Sequence, residues 1–271
     1  MITELLNKVA DITMKSQKIT PDIILLEFTV VNACILCEGN EWFLVDTGLE
    51  SSAEFIIETA EKYFKKNSQP KAIILTHGHF DHIGSVIQLV DKWKVPVYAH
   101  ELEMPYLTGK KDYAAGDSTV DGGLVAEMSP AFPHNSINLG NSIHPLPSDG
   151  SIPAITEWRW IHTPGHTPGH ISLFRDKDKV LIVGDAFTTV KQESLLSVLT
   201  QRKKVSGPPA YLTTDWKAAE TSVKALATLE PSLIIPSHGI PMRGKELNIY
   251  LGNLASHFED IAVPEHGRFV E

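Results

Sequence analysis

An α/β chain of the α+β type is what this sequence predicts, and three observations carry the prediction. Short β-rich runs fill the first fifty residues and return after residue 155. Amphipathic helical periods alternate with short, wholly apolar runs. Histidine and aspartate follow those apolar runs at several widely separated places. Apolar residues make up 42% of the 271, ample for a packed core, so a disordered chain is excluded. The expected organisation is one domain over 1–271, with a lid-like insertion at about 100–155.

Along the chain, Asp22 to Val31 and Ala33 to Cys37 read as strands, Glu38-Gly39-Asn40 as a turn, and Trp42 to Val45 as a short apolar strand. Ser51-Ser52-Ala53-Glu54 offers a capping box. The helix it opens carries Ala53, Ile56, Ile57, Ala60 and Phe64 at i, i+3, i+4 spacing. Ala72 to Leu75 is apolar throughout, as a strand buried on both faces is. A helix with Ile83, Val86, Ile87 and Val90 on one face comes next, then a strand over Val95 to Tyr98. From about His100 to Ile155 the chain is rich in Gly, Pro, Ser and Asp with few long periodic runs; so long a loop without regular structure is either a lid or pocket wall or a floppy surface insertion. Strands are expected again at Glu157 to Ile161, Ile171 to Phe174, Val180 to Val183 and Leu233 to Ile235. Helices are expected at Glu193 to Lys204, Asp215 to Leu229 and Leu247 to Ile261.

Charge and cysteine usage narrow the class. With 24 Lys+Arg against 33 Asp+Glu the formal charge is −9, which argues against nucleic acid as a partner, because phosphate binding needs a positive field. No run approaches the roughly 18 apolar residues of a membrane helix, so no membrane partner is expected. Met1 to Met14 carries Glu4 and Asp11 and lacks the basic and apolar regions of a secretory signal, so a cytoplasmic location is expected. Cys34 and Cys37 spell C-x-x-C, but inside a strand their Cα atoms would stand about 10 Å apart with side chains on opposite faces. That is too far for a disulfide, and both are expected to be small core residues.

The chemistry concentrates in Thr76-His77-Gly78-His79-Phe80-Asp81-His82, directly after a buried strand and at the start of a helix. Three imidazoles and a carboxylate so close together repel one another when protonated and gain nothing from burial when neutral. A divalent cation resolves that cost, since imidazole nitrogen and carboxylate oxygen are ligands zinc takes. The strand-to-helix turn lets His77 and His79 converge on one point and Asp81 and His82 on a neighbouring one, which suggests a pair of metals. Three more polar residues come after apolar strands in the same way: His166 in His162-Thr163-Pro164-Gly165-His166, Asp185 after Leu181 to Gly184, and His238 after Leu233 to Ser237. One edge of the sheets would thus collect seven candidate ligands.

These landmarks, together with Val45-Asp46-Thr47-Gly48 and Ser237-His238-Gly239, occur in the order of the metallo-β-lactamase superfamily, and the chain resembles its glyoxalase II-like branch in particular. The resemblance implies the metallo-β-lactamase fold, a four-layer αββα sandwich of two mixed β-sheets flanked by helices. It implies that His77, His79 and His166 hold one metal, that Asp81, His82 and His238 hold a second, and that Asp185 bridges them. Asp46 matches a carboxylate that orients ligand side chains. The cofactors expected are two divalent ions, zinc by default, with iron or manganese suited to the same donors. His162 and His170 are expected to support the ligand turn or pack in the core, and His134 and His144, in the insertion, to lie on the surface or else to touch substrate. No role is assigned to His100, His257 or His266.

The reaction implied is hydrolysis of an ester, thioester or lactone, a small-molecule substrate, by a hydroxide shared between metals about 3.5–4 Å apart. Asp81 is the candidate for passing a proton to the leaving group. Antibiotic-hydrolysing members generally lack the carboxylate that Asp185 supplies, so β-lactamase activity is not expected. Too short a stretch lies beyond His238 for the helical glutathione-binding region of glyoxalase II. Lactonases of the superfamily often carry a tyrosine where Thr188 stands here; Tyr211 is a candidate to enter the substrate pocket instead. Flavodiiron oxygen reductases carry Glu at the His79 position and are disfavoured. Two alternatives stay open: an oxidoreductase resembling the persulfide dioxygenases, with one iron on His77, His166 and Asp185, and a non-catalytic metal-binding module on the same fold. Oligomeric state and the substrate's identity are not legible.

Overall fold

Two mixed β-sheets with flanking helices make up the structure, a computed structural model that describes residues 14–120, 123–201 and 203–270. The stretch before Met14, where a leader would lie, and Arg202 are outside the described residues. By the clustering of its contacts the chain falls into two compact units. Among the described residues, the first holds 14–113, 133–147 and 153–155, and the second holds most of the remainder.

The first unit carries a sheet in the order β1 (Lys15–Thr20), β2 (Ile23–Glu27), β3 (Asn32–Glu38), β4 (Glu41–Val45), β5 (Ile73–Ile74), β6 (Val97–Ala99) and β7 (Ile143–Pro145). β1 to β4 run antiparallel through tight turns, and β4 to β7 run parallel. The parallel part needs crossovers: helix α1 (Ala53–Tyr63) lies in the one from β4 to β5, and α2 (Phe80–Ile83) and α3 (Val86–Trp93) in the one from β5 to β6. Alternate strand residues Ile24, Leu26, Ile35 and Leu44 form one apolar cluster with Ala53, Ile56 and Ala60 of α1 and with Val86, Leu89, Val90 and Trp93 of α3.

Three details depart from the sequence reading here. The capping box does not form: α1 starts after Ser52, not Ser51, with no side-chain cap bond, and the Ser52 hydroxyl accepts from the Leu49 N–H at 3.1 Å as a 3-10 turn, Glu50–Ser52, leads into the helix. The helix expected around Ile83 to Val90 is two helices, separated at Gly84 and Ser85, and Ile87 is 46% exposed because Leu89 and Trp93 take the buried face. The stretch from His100 to Ile155 is not without regular structure. It carries short helical turns, α4 (Met104–Leu107) and α5 (Leu124–Met128), and supplies β7 and β8 (Ser151–Ile152) to the sheets.

The second unit's sheet has the order β15 (Met242–Arg243), β14 (Leu233–Pro236), β11 (Val180–Gly184), β10 (Ile171–Arg175), β9 (Ile155–His162) and β8. β11 and β14 pair in parallel, and the crossover between them is helix α7 (Trp216–Thr228). Trp216, Ala219, Val223 and Leu226 form its buried stripe, as their spacing predicts, and α8 (Gly244–Ser256) packs beside it through Leu247, Leu251 and Leu254. The helix expected at Glu193 to Lys204 is a correction. α6 covers only Leu195–Thr200, Gln201 adopts a left-handed conformation (φ 49°), and β13 (Lys203–Ser206) returns to pair with β12 (Thr188–Val190). The expected last helix is likewise two, α8 and α9 (Phe258–Ala262), broken at His257. No helix among the described residues is long and apolar enough to cross a membrane. Cys34 and Cys37 both lie on β3 and are free thiols; burial, then the charge of Asp46, pushes the Cys34 thiol well up.

Candidate metal centre

In the first unit β4 and β5 are parallel neighbours, so the residues just past each strand emerge at the same end of the sheet. Asp46 comes directly after β4 in a left-handed conformation (φ 58°), which aspartate tolerates better than most residues. Its Oδ1 accepts from the Thr76 N–H at 2.8 Å, and its Oδ2 accepts from the Thr76 hydroxyl at 2.8 Å and stands 2.9 Å from His82 Nδ1. The turn after β5 places His77 Nε2 3.0 Å from His79 Nδ1, the His77 and His82 rings 4.0 Å apart, and Asp81 Oδ1 3.9 Å from His82 Nε2. Asp46, His77, His79, Asp81 and His82 are all buried.

The second unit repeats the device. β9 is antiparallel to β10, which is antiparallel to β11, which is parallel to β14. The C-terminal ends of β9, β11 and β14 therefore share one end of the sheet, and the turns after them carry His166, Asp185 and His238. Asp185 Oδ2 lies 3.3 Å from His166 Nε2 and 3.2 Å from His238 Nε2, with all three residues buried.

Hydrogen bonds at the far side of the rings fix which nitrogen faces inward. The Thr213 hydroxyl donates its one proton to Pro209 O at 2.8 Å, so at His166 Nδ1, 3.1 Å away, it can only accept. His166 thus carries its proton on Nδ1 and presents the Nε2 lone pair. The same reasoning applies to His77, whose Nδ1 is 3.1 Å from a Thr76 hydroxyl already donating to Asp46. It applies to His82 as well, whose Nδ1–H faces the Asp46 carboxylate. A metal-binding histidine is held in this way, with its outer N–H on an oxygen. A nitrogen lone pair 3.3 Å from a carboxylate oxygen, as at His166 and Asp185, is repulsive until a cation lies between them. The donor set therefore fits a divalent metal: each of the seven side chains offers an imidazole nitrogen or a carboxylate oxygen able to hold one.

His170 supports this end of the second unit, as expected of it. Its Nε2 accepts from the Asp185 N–H at 2.7 Å while Nδ1 donates to Thr163 O at 3.0 Å. His162 does not: it is exposed at the end of β9, with Nε2 donating to Pro168 O. His100, to which the sequence assigns no role, caps the turn Glu101–Glu103 by accepting from the Leu102 N–H. Tyr211 is buried, its ring edge-on to Phe132 and its carbonyl accepting from the Asp117 N–H. From that loop it is Thr213 that touches His166. Sequence reasoning missed Thr213, and it missed Glu103 and Tyr113. The Tyr113 ring lies against His79, centroids 4.5 Å apart. Burial, then the neighbouring Glu103 carboxylate, holds the Tyr113 phenol well above the usual tyrosine range.

The model of the metallo-β-lactamase superfamily matches residues 26–238, and the chain belongs to that superfamily of metal-dependent hydrolases. It is 49% identical to the probable metallo-hydrolase YflN of Bacillus subtilis over 224 residues, covering 83% of this chain and 85% of that one. Two solved structures share the fold at 24% identity, each covering 90% of this chain and 97% of its own. One is the B3 metallo-β-lactamase BLEG-1 (TM-score 0.59), and the other is TTHA1623 in a di-iron-bound form (TM-score 0.57).

Proposed function

We propose that this chain hydrolyses an ester, thioester or lactone of a small molecule with two divalent cations, zinc by default, held by seven side chains. His77, His79 and His166 hold one ion, Asp81, His82 and His238 hold the other, and Asp185 serves both. The observation that carries the reading is the outward anchoring of the rings: His77, His82 and His166 each have Nδ1 committed to an oxygen, which turns Nε2 to the opposite side of the ring. The di-iron form of TTHA1623, a fold neighbour, supports the number of ions.

Bound cations supply Lewis acidity toward the substrate carbonyl and a water acidic enough to ionise near neutral pH. The chain's own residues do the rest. Asp46, Thr213 and His170 hold the ligand set in orientation, so that little reorganisation accompanies the reaction. As the oxygen of water bonds to the acyl carbon and the bond from that carbon to the departing oxygen or sulfur breaks, one proton must travel from the water to the leaving group. Asp81 is the carboxylate assigned to carry it. The stretch from His100 to Ile155, which brings Tyr113 to the His79 ring, is assigned to the wall of the substrate pocket, and Tyr211 is retained as a candidate contact there.

The test is elemental analysis of the native protein together with a panel of lactones, thioesters, esters and phosphoesters. Two ions per chain with turnover of a carboxylic substrate, both lost in His166→Ala and Asp185→Asn, is the expected result. One iron per chain with oxygen uptake on a persulfide would replace the hydrolase with a dioxygenase. Full activity in metal-free protein would reject both.

A further inference from the structure

The geometry points to a buried brace, Glu103 with Tyr113, that positions the two histidines of the His77-Gly78-His79 turn by gripping the peptide between them. Glu103 is a carboxylate with no exposed surface, in a 3-10 turn of the Gly- and Pro-rich stretch and far from the motif in sequence. Its Oε2 accepts from the Gly78 N–H at 3.0 Å and from the Tyr113 hydroxyl. The Gly78 N–H also lies 3.1 Å from that hydroxyl, so the three groups close a small hydrogen-bonded ring. Burying a carboxyl group is costly unless hydrogen bonds compensate it, and here one of its oxygens is spent on a backbone amide of the metal-binding turn.

The packing supports the same assignment. The Tyr113 ring is stacked on Tyr106, centroids 3.9 Å apart, and it also meets the His79 imidazole. A Cβ on Gly78 would stand 2.6 Å from the Tyr113 hydroxyl and 3.3 Å from Leu107 Cδ2, so the space a side chain would need is filled by the brace. The glycine between the two histidines is thus required by what grips it. Rotating the Gly78 peptide would swing His77 Nε2 and His79 Nδ1 apart from their 3.0 Å approach, so fixing that peptide fixes the bite of the pair. Glu103 and Tyr113 are positioning residues, and they act on one ion of the proposed pair.

This inference rests on the two-metal reading, and the experiment separates the two. Zinc is titrated into metal-free wild-type protein against a chromophoric chelator, cobalt(II) spectra are recorded, and metal-free proteins are melted. Two stepwise affinities in the wild type uphold the reading; no uptake at all overturns it and the brace with it. Given uptake, Glu103→Leu is expected to weaken one of the two affinities by about 10–100-fold and shift the cobalt spectrum, with the other affinity unchanged. Glu103→Gln, whose amide oxygen still accepts from the Gly78 N–H, is expected to restore most of the loss. Wild-type affinities and spectrum in a folded Glu103→Leu would overturn the brace while leaving the reading intact. So would equal losses at both ions with no rescue by Gln, the signature of general damage. If Glu103→Leu does not fold, Tyr113→Phe decides: a selective loss at one ion supports the brace, and an unchanged titration rejects it.

Discussion

Asp46 holds the end of one strand to the start of the metal motif by accepting from the Thr76 amide, the Thr76 hydroxyl and the His82 ring. Asparagine tolerates the same left-handed backbone, so Asp46→Asn changes the hydrogen bonds and not the chain path. Whichever way its amide turns, an NH2 then faces a donor. Toward Thr76 N–H it loses a buried bond; toward His82 it forces the ring proton onto Nε2 and removes the lone pair proposed to hold metal. The expected outcome is metal affinity lowered about 10–100-fold and stability lowered by about 1–3 kcal/mol. Chelator competition and thermal melts of the same preparation measure the two effects. Affinity equal to wild type would show that His82 does not need this acceptor.

At the scale of elements, α7 bears directly on the ligand turn. Asp215 caps it, accepting from the Ala218 N–H at 2.9 Å, while the Thr214 and Asp215 amides both donate to Gly165 O in the turn that carries His166. Gly165 itself has φ 134°, and a Cβ there would lie 2.4 Å from Ala219 N, so turn and helix start are fitted to each other. Asp215→Ala is expected to cost about 1 kcal/mol and Asp215→Ser much less, read as the shift in unfolding midpoint in urea. Equal losses for both would mean the carboxylate acts otherwise than as a cap. Helices like this one were legible because Trp216, Ala219, Val223 and Leu226 recur at 3.6-residue spacing over a long run. Residues 193–206 were not, because a two-turn helix and a short hairpin strand each offer too few periods to separate. The capping box failed because Ser51-Ser52-Ala53-Glu54 has the right residues but the helix starts one residue later than the box requires, after Ser52.

Over the whole chain, the candidate ligands were legible because each comes after a run of apolar strand residues, a pattern local enough to see in one dimension. Their supports were not. Thr213, Glu103 and Tyr113 are single polar residues in irregular segments, brought to the histidines only by folding, and no spacing announces them. That division has a thermodynamic consequence. Within each unit the buried groups, His77, His79, Asp81 and His82 in the first and His166, Asp185 and His238 in the second, keep lone pairs and carboxylates close together, a cost the metal-free fold must bear and bound ions would offset. An ion that binds the native state and not the unfolded chain stabilises by about 2.7 kcal/mol when present at a hundred times its dissociation constant. Chelation is therefore expected to lower the unfolding midpoint in urea without changing the slope of the transition, since the surface exposed on unfolding stays the same. Zinc added back should restore the midpoint in the wild type and fail to do so in Asp185→Asn. Melting and denaturant curves that are superimposable with and without chelator, in protein shown to have carried metal, would mean that the ions bind without stabilising the native state, and the proposed sharing of Asp185 between both would lose its main consequence.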